Sequence, residues 1–367
     1  MRADAFVESR TLSAMNPRER IVAEARRLGF DAVGFARADL PLDADFAHYE
    51  AFVASGKQGE MAWLAALPEA RKRLDGEHVL PGARTVICLA RRYARAEEAE
   101  AQDAALARRI ARYARGRDYH NGMRKKLRKL EALVRTLGEG VEARPLCDEE
   151  PVLERAWAAR SGLGFVGKNG LLIVPGTGSF VLLGEVVTTL VVAADDPIPE
   201  RCGSCTRCLD ACPTDAFERP FVLDPRRCVA YLTIEHRSGI DAALRPGVGD
   251  HLFGCDDCQT VCPFNGSRAR AGDVDPRFLP DARWSTTRLE ELLFLDDRAF
   301  ERLREGSPIG RATRAGLARN AALVLGNAGD PSAVAALRRA SVAHDDAVVR
   351  EAADWAITRI TTRSPRC

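Results

Sequence analysis

Apolar and polar positions in the first 195 residues keep two rhythms. Asn16-Pro17-Arg18-Glu19 opens a helix, with Asn16 as N-cap, Pro17 at the first helical position and Glu19 three residues after the cap. Gly29 stops it. The unbroken run Thr85-Val86-Ile87-Cys88-Leu89-Ala90 predicts a buried strand. Met123, Leu127, Leu130, Val134 and Leu137, three and four positions apart, form the apolar stripe of one helix. Further strands are expected in LLIV (171–174) and FVLLGEVVTTLVV (180–192). Helices interleaved with strands predict an α/β domain over 1–195 within an α+β chain.

DDPIPE (195–200) has linker chemistry, because its prolines fix the backbone and remove donors. A cysteine-rich module over 196–270 is expected to follow, and then helical sequence over 280–367. From about Pro308 the chain is rich in Ala, Leu and Arg, and RNAALVLGNAGDPSAVAALRRA (319–340) echoes REAADWAITRI (350–360) at a period of 31. Such an echo predicts a short HEAT-like stack with its arginines facing outward, docked on the rest because two units cannot stand alone.

With 367 residues, 46% of them hydrophobic, the chain has material for two or three cores. No apolar run approaches 18 residues, and MRADAFVESRTLSAMNPRER lacks an apolar leader segment, so a cytoplasmic protein without a membrane span is expected. The formal net charge is only +2, yet RRIARYARGRDYHNGMRKKLRK (108–129) holds ten Lys or Arg against the single acid Asp118. That density suits either a solvated helix face or a contact with phosphates.

Eight of the eleven cysteines lie between 202 and 262, which points to metal binding and away from a disulfide scaffold. Cys202, Cys205, Cys208, Cys212 and Pro213 follow C-x2-C-x2-C-x3-C-P, in which three sulfurs hold one [4Fe–4S] cubane and the fourth crosses to another. A second run supplies Cys255, Cys258, Cys262 and Pro263, with Leu252 where its first ligand would stand. Cys228 is the unassigned cysteine of the module and closes the count. One cubane takes Cys202, Cys205, Cys208 and Cys262; the other takes Cys212, Cys228, Cys255 and Cys258. Two zinc sites are the competing reading, disfavoured by a spacing unlike paired C-x2-C knuckles. Cys88, Cys147 and Cys367 are left over, with Cys88 expected to be a buried small hydrophobe.

GLGFVGKNG (162–170) contains G-x-G-x-x-G, but a helix is expected before it and a strand after it, the reverse of a dinucleotide site. The glycines suit a tight loop presenting Lys168 and Asn169. Asp148 lies just before a helix, as a cap, a solvated acid or a proton donor. Asp118 and His120 stand in D-x-H, and Gly122 falls one residue early for the D-x-H-x-x-G motif of a histidine that ligates cobalamin.

GEMAWL (59–64), RDYHNGMRKKL, CDEEPVLER, GLGFVGKNGLLI, the two cysteine runs and YLTIEHR (231–237) together resemble the epoxyqueuosine reductases over most of the chain. The chain departs from that pattern at PFN (263–265) and at SGI (238–240), neither of which removes a ligand. The resemblance implies a cobalamin-binding core of the nitroreductase and reductive-dehalogenase type with two [4Fe–4S] clusters. Its substrate would be the epoxide of epoxyqueuosine at the wobble position of a tRNA anticodon. It places the proton donor at Asp148 and candidate cofactor contacts at Arg71, Asp148, Lys168, Asn169 and Thr233. Asp118, His120, His236 and Arg237 become candidate substrate or tRNA contacts. Arg311, Arg314, Arg319, Arg338 and Arg339, with the basic run, would meet the phosphates of the anticodon stem-loop. An external electron donor and a monomeric enzyme are expected. Two alternatives stand beside this reading: a corrinoid iron–sulfur reductase of a small molecule, and a non-catalytic iron–sulfur electron carrier.

Overall fold

The computed structural model describes residues 15–362 apart from Glu149, Arg268, Arg270 and Asp273, so Cys367 lies outside the described residues. The chain divides into two units that interleave in sequence. One comprises 1–54, 64–92 and 120–204; the other comprises 55–63, 93–119 and 205–367.

The first unit is built on an antiparallel sheet of order β1-β2-β6-β3, with β1 Ala32–Arg37, β2 Thr85–Arg92, β3 Ala143–Leu146 and β6 Val181–Thr188. Helix α1 (Pro17–Arg27) carries the expected capping box: Asn16 Oδ1 accepts the Glu19 N–H at 3.0 Å and Glu19 Oε2 accepts that of Asn16 at 2.8 Å. Helices α2 (Asp43–Ala54) and α3 (Pro68–Lys72) follow. Helix α4 (Tyr119–Arg135) buries Met123, Leu127, Leu130 and Val134; it ends before Leu137. Helix α5 (Glu154–Arg160) precedes the short hairpin of β4 (Phe165–Val166) and β5 (Leu172–Ile173).

Two glycines of the sheet are set by close approach. A Cβ on Gly34 of β1 would sit 2.4 Å from the Ser161 carbonyl oxygen after α5, and one on Gly184 of β6 would sit 2.9 Å from Leu127 Cδ1. Strand β2 is buried over Thr85–Arg91, so the central strands read as apolar runs without alternation. Cys88 is fully buried there, as expected.

The second unit differs from a division into consecutive segments. Leu106, Ile110 and Ala114, from the chain before α4, share one apolar cluster with Leu232, Leu252, Trp284, Leu292, Leu317 and Ala353. The indole N–H of Trp284 donates to the Arg115 carbonyl at 2.7 Å. The cysteine runs include the short helices α6 (Arg207–Asp210) and α8 (Asp257–Thr260), with α7 (Val229–Ile234) between them. The C-terminal helices are α9 (Arg314–Ala328), α10 (Val334–Ala343) and α11 (Ala347–Thr362). Among the described residues no helix is long and apolar enough to cross a membrane.

Arg319 of α9 overturns the expectation that the repeat's arginines all face outward: it is 1% exposed. Its guanidinium donates to the carbonyls of Leu232 (2.5 Å), His236 (2.9 Å) and Ser238 (2.8 Å). Asn320 beside it donates to those of Thr233 (2.8 Å) and Leu252 (3.0 Å). Burial lowers the Arg319 pKa to about 10, so the group stays charged near neutrality. Arg319→Ala leaves three carbonyls, that of Leu232 buried, without this donor and is expected to cost about 3 kcal/mol. The exposed Arg338→Ala should stay within about 0.5 kcal/mol; equal midpoints in chemical denaturation would contradict the assignment.

Candidate active site and thiol clusters

Asp148 stands two residues beyond β3 in the left-handed region, φ 60°, a conformation that costs a side-chain-bearing residue about 1–2 kcal/mol. The side chain is 49% exposed. Its Oδ2 lies 3.0 Å from Nε2 of His120, the second residue of α4, and its main-chain N–H donates to Glu154 Oε1 at 2.8 Å, at the start of α5. Asp148 is therefore not the cap of α5, whose N-cap position is Leu153. A cavity of about 340 Å³ opens next to this turn, lined by Arg124, Arg128, Pro145, Cys147 and Glu150 among others.

The remaining candidates of the first unit differ in how they are held. Arg71 on α3 is 4% exposed, with its guanidinium over the Tyr49 ring at 5.4 Å and Nε donating to the Ala66 carbonyl at 3.3 Å; burial lowers its pKa. Lys168 Nζ donates to the Gly203 carbonyl at 2.5 Å. Asn169 is 5% exposed; its Oδ1 accepts the Leu171 N–H at 3.2 Å, while Nδ2 meets no acceptor among the described residues. Helix α5 precedes the glycine-rich stretch, β4 lies within it and β5 follows, which is the order that argues against a dinucleotide site.

In the second unit burial raises the thiol pKa of Cys208, with Cys262 and Cys205 adding to it, and that of Cys262, with Cys205 adding to it. A second neighbourhood joins Cys212, Cys228, Cys255 and Cys258. Burial pushes up Cys258, helped by Cys228, Asp256, Cys208 and Cys212, and pushes up Cys255, helped by Asp257 and then Cys228. Cys228 is raised by burial and by Cys212, against N–H groups of Ala230 and Tyr231 that favour its thiolate. The Ala216 N–H donates to Cys212 Sγ at 3.3 Å, and His251 Nε2 lies 3.7 Å from Cys255 Sγ. Thiols that raise one another's proton affinity, with backbone donors aimed at the sulfurs, suit cations that keep them ionised.

Thr233 departs from the expected cofactor contact. It is fully buried, its hydroxyl donates to the Val229 carbonyl at 2.7 Å, and it accepts the Gly254 N–H at 2.9 Å, stapling α7 to the second cysteine run. His236 Nε2 lies 3.1 Å from the Gly239 carbonyl oxygen, and Nδ1 lies 3.3 Å from Glu60 Oε1. Arg237 sends its guanidinium to the Ile234 carbonyl at 2.8 Å and its N–H to Glu60. Burial works against ionisation of Glu60, yet the Ser238 hydroxyl and the Arg237 N–H hold it below the usual carboxylate range. The Glu60 N–H donates to the Tyr231 hydroxyl at 2.8 Å, with Gly59 packed on the same oxygen. The N–H of Asp118 donates to the Gly306 carbonyl at 2.8 Å.

The basic run is only partly exposed. Arg112 pairs with Glu100 at 2.7 Å and Asp256 at 3.2 Å, and Arg115, 7% exposed, pairs with Asp103 at 3.3 Å. Lys126 is turned onto the Leu28 carbonyl. Arg108, Arg117, Lys125, Arg128 and Lys129 are exposed. Of the C-terminal arginines, Arg311 pairs with Glu235 at 2.5 Å and lies over the half-exposed ring of Trp63. Arg314 binds Asp297 and Asp345, Arg339 lies over Phe294, and Arg338 is exposed.

Glu60, Glu154 and Glu185 escaped the sequence reading. Glu185 had a signal, as the single charge inside FVLLGEVVTTLVV.

Residues 201–265 match the family described as "4Fe-4S double cluster binding domain", and residues 73–149 match "Epoxyqueuosine reductase QueG, DUF1730". Fold and thiol site thus define an iron–sulfur oxidoreductase. An epoxyqueuosine reductase of Gloeobacter violaceus is 44% identical over 322 residues, covering 86% of this chain and 98% of its own. A solved epoxyqueuosine reductase with an epoxyqueuosine-modified tRNA-Tyr stem loop superposes with a TM-score of 0.83 at 30% identity, covering 94% of this chain and 90% of that one. With the same score, identity and coverage, a structure of the Bacillus subtilis enzyme has its catalytic aspartate loop swung out of the active site. The chain belongs to the epoxyqueuosine reductase family.

Proposed function

We propose that the chain reduces the epoxide of epoxyqueuosine, at the wobble position of a tRNA anticodon, to the cyclopentene of queuosine. The observation that carries this reading is the half-exposed Asp148 carboxyl, held 3.0 Å from His120 in a chain of this family. Two electrons and two protons enter, both C–O bonds of the epoxide are lost, a C=C bond forms and the oxygen leaves as water. Asp148 Oδ2 protonates the departing oxygen, which would otherwise leave as an alkoxide. His120 Nε2 orients that carboxyl and returns a proton to it.

Two [4Fe–4S] clusters fit the thiol neighbourhoods. Cys205, Cys208 and Cys262, with Cys202 from three residues upstream, hold one; Cys212, Cys228, Cys255 and Cys258 hold the other. The influence of Cys208 on Cys258 supports clusters close enough to exchange electrons. Cobalamin fits the first unit through the buried, acceptor-less Nδ2 of Asn169, a donor suited to the amide carbonyls that fringe a corrin. Arg71, Lys168 and Asn169 would hold it. When bound and reduced through the clusters, cobalamin supplies the two electrons. Within 1–195 its α/β core would leave out 55–63 and 93–119, which join the second unit, with 196–270 the ferredoxin-like module and 280–367 a HEAT-like stack.

The exposed cations Lys125, Arg128 and Lys129 on α4, and Arg338 on α10, would meet tRNA phosphates, with the modified nucleotide turned out of its loop. Affinity for tRNA should therefore fall steeply with salt. Joint replacement of Lys125, Arg128 and Lys129 by Ala should lower the log–log slope by about 2–3; a salt-independent affinity would sink this assignment.

Asp148→Asn is expected to lower kcat at least about 100-fold, with iron content and corrinoid spectrum unchanged. Quantifying queuosine in tRNA by mass spectrometry under single turnover checks it, and full turnover would remove Asp148 from the reaction. Cys258→Ala should reduce bound iron to about half. Undiminished iron would contradict the partition of ligands.

A further inference from the structure

Glu185 is the only charged residue of β6 and lies in the middle of the sheet, in register with Cys88 of β2 and Leu146 of β3. It is 0% exposed, and among the described residues no N–H donor reaches either carboxyl oxygen, whose hydrogen-bonding neighbour is the Glu154 carboxyl. The charge that bears on it most is Glu154, whose own Oε1 accepts the main-chain N–H of Asp148 at 2.8 Å. Burial raises both carboxyls; Glu154 raises Glu185 further, whereas the Asp148 N–H and the contact with Glu185 hold Glu154 back. The other titratable or charged groups facing the pair are Cys88 from β2, Cys147 and Asp148 after β3, and Arg155 next on α5. Both thiols are buried and raised, and Arg155 is turned to the Gly170 carbonyl. Two ionised carboxylates are not tolerated together in such surroundings, so the pair keeps one proton.

We propose that Glu154 and Glu185 form a one-proton carboxyl pair that positions Asp148, with ionised Glu154 holding the Asp148 N–H and the proton resting on Glu185. The assignment follows the geometry: Glu154 has a donor to stabilise its charge, and Glu185 has none. A charged acceptor holds the Asp148 N–H more strongly than a neutral acid. Glu154 is thus a positioning residue. Its importance for catalysis rests on the reading of Asp148 as proton donor.

Two measurements on the full-length protein with its cofactors, made without substrate, test the pair. In hydrogen exchange corrected for intrinsic rates, protection of the peptide 146–153 should fall in the wild type as acid protonates Glu154. E154Q keeps an amide oxygen for the Asp148 N–H and should show no such pH step, and E154A should lose about tenfold in protection at every pH. By infrared spectroscopy, E185Q should remove one protonated-carboxyl band. An unaltered pH step in E154Q, or an acid band that persists in E185Q, would overturn the pair. Under turnover, E154A should lower kcat with KM for tRNA unchanged. Because exchange and infrared need no substrate, a protein that failed to reduce epoxyqueuosine would refute the function and leave the carboxyl pair standing or falling on its own.

Discussion

Like charges repel in a low-dielectric interior, and the second unit brings seven cysteines into two half-buried neighbourhoods in which burial and neighbouring thiols raise the proton affinity of Cys208, Cys228, Cys255, Cys258 and Cys262. No packing of apolar side chains explains that arrangement. It is a cost that bound iron reverses, because a coordinated thiol is deprotonated outright. The surrounding elements follow from it. Short helices α6 and α8 hold the middle of each run, α7 brings Cys228 in from between them, and backbone N–H groups point at the sulfurs.

The same unit solves a second problem with buried polar groups. A loop-rich cysteine module leaves carbonyls that no strand or long helix satisfies. Arg319 and Asn320 supply donors to five of them, on the chain around α7 and the second cysteine run. Arg112 joins Glu100 to Asp256 within that second run. Removing a hydrophobic contact from such a region would cost packing; removing one of these cations would strand several acceptors at once. The C-terminal helices thus complete the cysteine module, whatever surface they offer to RNA.

Local rules made much of this legible. The capping box of α1, the apolar stripe of α4 and the strands at 85–90 and 181–188 are set by neighbours in sequence, and they stand where the pattern puts them. The cysteine spacing carries its own chemistry. What the chain conceals is long-range pairing. Arg319 and Arg338 look alike in a basic helical repeat, and only tertiary packing buries one and leaves the other exposed. Arg112 and Arg115 similarly read as part of a phosphate-binding run until acids at 100, 103 and 256 claim them. The split into interleaved units was hidden for the same reason: residues 93–119 join the second core through contacts with side chains more than a hundred positions away.

The two charged arrangements answer opposite needs. An iron–sulfur module works with fixed ligands, so its cations and amides are buried and saturated. A proton donor to a macromolecular substrate has to remain accessible, and Asp148, proposed for that role, is half exposed on a turn after the edge strand β3. Exposure alone would leave that carboxyl poorly oriented. The structure resolves the conflict by holding the aspartate from behind, through its backbone on Glu154, and from the side, through His120. Glu185 then has a reason to sit in a sheet centre that apolar packing would fill with Val or Leu: a buried acid next to Glu154 ties the hold on Asp148 to protonation, which an apolar residue would not do.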